Sequence, residues 1–151
     1  MKNHRFVHFG LRLLLLAAPL TVLTLAADPA AAQTQSANVT LRVIVASNAG
    51  GGVAAELRSF AAQLTAQFQG YNTFVQHSST AATIAQGEQQ RVSTPGDGTA
   101  TITFSGMEGG QYTFNVQIPG GSTTVRMPGN SVLFVGGSSV AGGTLIIMLD
   151  T

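Results

Sequence analysis

Hydrophobic and polar positions alternate with a period of two along most of the chain, and one stretch departs from that rhythm. Asn38 to Ala46 sets Val39, Leu41, Val43 and Val45 on one face and Thr40 and Arg42 on the other, the spacing of a half-buried strand. Ile44 makes the second face partly apolar, so this strand is expected to be covered on both sides. Thr99 to Phe104 turns Ala100, Ile102 and Phe104 inward and three threonines outward. Gln111 to Ile118 is the clearest case: Tyr112, Phe114, Val116 and Ile118 face one way, Gln111, Thr113, Asn115 and Gln117 the other. Tyr71 to His77 reads as a further strand, and the polar Glu88 to Ser93 as a weaker one suited to a sheet edge. Thr144 to Leu149 is a continuous apolar run. Such a run fits a central strand buried on both faces and is too short to cross a membrane.

The departure lies between Val53 and Gln69. Val53, Leu57, Phe60, Ala61, Leu64 and Phe68 recur at three- and four-residue spacing, with Glu56, Gln63 and Gln67 off that face. This predicts one amphipathic helix packed on a sheet, entered from the glycine turn Ser47–Gly52 and ended by Gly70 as a C′ residue. Thr94-Pro95-Gly96-Asp97-Gly98 is a strong turn signal, because proline presets one φ and glycine accepts a positive one. Pro119-Gly120-Gly121-Ser122 and Pro128-Gly129-Asn130-Ser131 bracket a strand at Thr123 to Met127 and read as tight hairpin connections. Ser131 to Val135 follows, then a Gly/Ser loop from Gly136 to Gly143. The order predicts a mostly β (α+β) fold: an antiparallel sheet or sandwich of seven to eight strands with one helix near residues 53–69.

The first residues carry a different pattern. Lys2, Arg5 and Arg12 precede an uncharged run from Leu13 to Ala27, and Ala30-Ala31-Ala32 stands before Gln33. That is the form of a secretory signal peptide cleaved after Ala32. The expected organisation is a leader over 1–32, a flexible lead-in over 33–37 and a single β-rich domain over 38–151. Export to the periplasm or beyond follows, with no membrane span left after cleavage.

Cleavage changes the charge. The leader holds the only lysine, and the remaining 119 residues keep four arginines against five acids. A near-neutral domain without lysine has no electrostatic footprint for nucleic acid. The chain has no cysteine, so neither a disulfide framework nor an N-terminal lipid anchor is available to it. An export signal without cysteine fits a bacterial envelope or secreted protein.

Candidate chemistry is sparse. His77 is the single histidine after residue 32, and a lone histidine among scattered acids lacks the spacing of a metal site. Gly137-Ser138-Ser139-Val140-Ala141 lacks the final glycine of a nucleophile elbow, and no histidine follows it. Asp97 and Glu108 could form a glycosidase-type carboxylate pair, with Glu88 as a third acid, but Asp97 and Glu108 each sit in turn signatures. No catalytic, cofactor or metal-binding residue is therefore assigned, and no cofactor is expected. Gln, Thr, Asn and Ser dominate the outward positions, where charge ordinarily keeps sheet edges apart.

Residues Thr123 to Gly137, TTVRMPGNSVLFVGG, resemble a segment near the end of the bacterial secretin β-domain. There a strand, a short glycine turn and a second strand ending in Gly-Gly form a hairpin. The long barrel-forming region of a secretin has no counterpart in this sequence, so the resemblance implies a hairpin and not a pore. Over residues 39–149 the chain is similar to small exported bacterial β-proteins, a group that brings no activity with it and suggests an accessory or structural role. The expectation is a non-enzymatic exported domain that acts by binding or assembly, its partners being itself or envelope proteins met through sheet edges. A carboxylate-dependent hydrolase or lyase on envelope polymers is one alternative. A carbohydrate- or peptide-binding module, which needs a groove of exposed aromatics, is another.

Overall fold

The computed structural model describes residues 34–151. The expected leader, its cleavage point and Gln33 lie outside the described residues. Among the described residues nine strands build two sheets: β1 (Ser36–Ser47), β2 (Gly52–Val53), β3 (Thr73–Ala85), β4 (Gln89–Thr94), β5 (Gly98–Glu108), β6 (Gln111–Ile118), β7 (Gly121–Pro128), β8 (Val132–Val140) and β9 (Gly143–Asp150). One sheet has the order β2-β3-β1-β9-β8 and the other β4-β5-β6-β7. All pairings are antiparallel except the short β2–β3 contact. The fold is thus the expected β-sandwich with one helical segment.

Two cores hold the layers together, and both run through β1 and β9. Between the sheets lie Val39, Leu41 and Val43 of β1 with Leu145, Ile147 and Leu149 of β9. They meet Ile102 and Phe104 of β5 and Phe114 and Val116 of β6. On the opposite face of the five-stranded sheet, Ile44, Ala46, Phe74, Ile146 and Met148 pack under the helical segment through Leu57 and Leu64. The unbroken apolar run of β9 is explained by this position: odd residues enter one core and even residues the other, and Leu145 to Leu149 are all fully buried. Phe104 and Phe114 of the core and the half-buried Tyr112 form an aromatic group, with ring centroids 5.4–6.2 Å apart.

The helix differs from expectation in form. A 3₁₀ helix (Ala55–Phe60) is followed by α1 (Ala61–Gln67), not one α-helix over 53–69. Leu57 and Phe60, three apart, share a face because 3₁₀ winding brings i and i+3 into line. From Leu64 to Phe68 the spacing is four, as α winding requires. Gly70 does not adopt a positive φ, and α1 has already ended at Gln67, so Gly70 is not its C′ glycine.

Four further differences concern boundaries. The lead-in is not free: Ser36 and Ala37 open β1, Ala37 is fully buried, and the Gln35 carbonyl accepts the Gln86 N–H at 2.8 Å. β3 runs on past His77 to Ala85 through Ser78-Ser79-Thr80-Ala81-Ala82-Thr83, small residues that carry little apolar signal. The Gly/Ser stretch from Gly136 is strand, bulged at Gly137, up to Val140. Pro128–Ser131 is not a hairpin turn, because β7 and β8 belong to different sheets. That also separates the two strands of the segment resembling the secretin hairpin.

Candidate functional site

The two acids singled out from the sequence as a possible pair are set apart by the fold. Asp97 sits in the β4–β5 turn with φ 60°, and Glu108 ends β5. The two acids therefore flank opposite ends of one strand whose length, at about 3.3 Å per residue, is several times the separation of a glycosidase pair. Glu88 is in the β3–β4 turn, where its Oε2 accepts the Ala85 N–H at 3.3 Å. The pair of carboxylates is not formed by Asp97 and Glu108.

His77 is exposed, at the residue where β3 bulges against Val43 and Ile44 of β1. It shares a shallow hollow of about 420 Å³ with Asp97 and the rest of the β4–β5 turn. Among the described residues no group of three or more His, Asp or Glu is gathered as a metal site would need. Ser138 donates its hydroxyl to the Pro119 carbonyl in the β6–β7 turn. It therefore ties the end of β8 to the other sheet. Strand, bulge and strand surround it, instead of the strand–turn–helix of a nucleophile elbow.

The aromatic residues are equally committed to structure. Tyr71 is half-buried with its hydroxyl 2.7 Å from Thr144 Oγ1. Tyr112 stacks in the sandwich core, and Phe68 meets Phe134 edge-on under α1 with centroids 6.3 Å apart. Among the described residues the large exposed apolar side chains are Val75 and Met107, which do not make an aromatic groove.

Strand edges are what remains, and they are not alike. β4 carries the exposed Arg91 in mid-strand, and β7 carries exposed Arg126 and Pro128. Charge and proline are the ordinary defences of an open edge. β8 has no charge, but it is bulged at Gly137 and pinned through Ser138. β3 is different. β2 covers it only at Thr73 and Phe74, leaving Val75–Ala85 with β1 on one side and no strand on the other among the described residues. That length, VQHSSTAATIA, contains no Lys, Arg, Asp, Glu or Pro. From Ser78 to Ala85 it pairs with Ser36–Val43 in unbroken register, so the open edge is also regular.

Sequence reasoning gave the general point that the edges are poorly charged. It missed which edge is open, because Ser78–Ala85 did not read as strand. The signal available was weak: Ala82 and Ile84 alternate with Ala81 and Thr83, and both pack inward. Comparison with protein-family models, with curated proteins and with solved structures finds no match for this chain.

Proposed function

We infer that the protein is an exported, non-enzymatic β-domain that acts by binding or assembly in the bacterial envelope or outside the cell. The observation that carries this reading is the uncharged, regular edge of β3 beside edges that are defended by arginine, proline or a pinned bulge. An open strand edge is a row of backbone donors and acceptors, and pairing with another strand is the interaction it is built for. The separation of Asp97 from Glu108 by the length of β5, and the use of Ser138 in a structural hydrogen bond, support the non-enzymatic part. The leader-like residues 1–32 support export.

The reading is tested in the native cell. Fractionation should find the protein outside the cytoplasm beginning at Gln33, and crosslinking there should trap it in a complex with itself or an envelope protein. Recovery from the cytoplasm with the leader intact would overturn the export part. Recovery as an uncrosslinked single chain would overturn the assembly part.

A further inference from the structure

The open edge of β3 has a geometry that selects its own copy as partner. Resting on the assembly reading above, we propose that two molecules pair β3 to β3 in an antiparallel manner about a two-fold axis near Ala81, joining their five-stranded sheets into one.

The backbone sets which groups are free. Ala85 donates its N–H to the Glu88 carboxylate at 3.3 Å and its carbonyl accepts the Glu88 N–H at 2.9 Å, although β1 runs alongside it. In an antiparallel pair, residues alternate between those that bond their neighbour and those that turn both groups away. Thr83, Ala81 and Ser79 accordingly turn theirs to the open side with Ala85. A two-fold axis normal to the sheet keeps each face on its own side, so it pairs residues of like parity. With Ala81 on the axis, Ala81 meets Ala81 of the partner and Ser79 meets the partner's Thr83, both as hydrogen-bonded pairs. Ser78 to Ala85 is about 27 Å of strand at 3.4 Å per residue.

Charge points to the same partner. In a two-fold pairing a charged side chain close to the axis faces its own copy, and like charges directly opposite destabilise a pairing. Val75–Ala85 has no acid, lysine or arginine to repel its copy, whereas the β4 and β7 edges carry Arg91 and Arg126, which repel their own copies when the axis falls beside them. The groups flanking the seam are complementary: the antiparallel register brings His77 of one molecule to the end where the partner's Glu88 caps its strand. Ser79, Ala81 and Thr83 are short and exposed, so no side chain blocks approach on that face.

The test exploits the axis. Ala81 is exposed on a face that no core residue of β3 shares at that point, so Ala81→Lys and Ala81→Glu should both fold, which circular dichroism and a thermal melt verify. In sedimentation equilibrium the unsubstituted processed protein should dimerise, and each variant alone should dissociate at least tenfold more readily. An equimolar mixture of the two variants should regain association, because lysine then faces glutamate across the axis. Arg126→Glu, on the β7 edge, should leave the dimer unchanged. A monomeric unsubstituted protein, undiminished association of both variants, or a mixture that stays monomeric overturns the β3 pairing. Native-cell crosslinking of the Ala81 variants separates this from the broader reading: complexes that survive there point to another surface, and only their absence in the unsubstituted protein removes assembly altogether.

Discussion

Arg42 of β1 and Asp150 of β9 are 108 residues apart in the chain, yet the guanidinium lies 3.3 Å from the carboxylate. The same guanidinium carbon is 5.2 Å from the centre of the Phe60 ring. One side chain thus connects the first strand, the last strand and the helical segment on the outer face of the five-stranded sheet. The charged groups are 21% and 33% exposed, so water screens much of the ion pair.

Asp150→Asn should therefore cost less than about 1 kcal/mol, the range of partly exposed pairs. Arg42→Ala should cost more, by roughly a further 0.5–1 kcal/mol, because it also strips the contact with Phe60. Urea unfolding of the two single variants and the double variant measures both. An Asp150→Asn effect larger than that of Arg42→Ala would contradict the shared role of Arg42.

Two glycines should respond in opposite ways to a single methyl group. Gly143 opens β9 at φ 154°, and a Cβ there would collide with the Ala46 carbonyl of β1. Backbone cannot move aside cheaply, so Gly143→Ala should destabilise by more than about 3 kcal/mol or prevent folding. Gly70 has open space around its Cβ position and no positive φ. Gly70→Ala should stay within about 0.5 kcal/mol of the parent or gain slightly, by lowering unfolded-state entropy. A loss of 1 kcal/mol or more at Gly70 would restore it as a conformationally required glycine.

Asp97 holds a left-handed backbone conformation in its turn, which Asn and Gly accept more easily than other residues. Asp97→Asn should leave stability within about 0.5 kcal/mol, while Asp97→Ala should lose about 1 kcal/mol. Thermal melts at matched pH distinguish the two. If Asp97→Asn is as damaging as Asp97→Ala, the carboxylate itself matters and the turn explanation fails.

Ser138→Ala removes the hydrogen bond to Pro119 and should cost about 1 kcal/mol. Hydrogen exchange should show the loss concentrated at the β8–β9 end and the β6–β7 turn. Uniform loosening of the whole sandwich would contradict a local tie.

The strands legible in the sequence are those whose inward residues are large. β6 matches its expected limits because Tyr112, Phe114, Val116 and Ile118 alternate without a break. β9 was legible as a two-sided central strand because no polar residue interrupts Leu145 to Leu149. The second half of β3 was not, since serine, threonine and alanine fill both of its faces as far as Ile84. β8 was truncated at Gly136 because a glycine bulge inside a strand has the composition of a loop. Strand spacing also could not say whether β7 and β8 lie side by side or face to face. A three-residue link, Gly129 to Ser131, spans either the roughly 5 Å between paired strands or the roughly 10 Å between sheets. That Asp97 belongs to a turn was readable from Pro95 and its flanking glycines, whereas the open edge emerged only once β3 had its full length.

The most direct test of the central claim is sedimentation velocity of the processed protein, purified from the compartment where it resides, over a hundredfold range of concentration. Pairing through the open β3 edge predicts a weight-average sedimentation coefficient that rises with concentration from the monomer value toward that of a dimer. A single species of monomer mass at every concentration would contradict it.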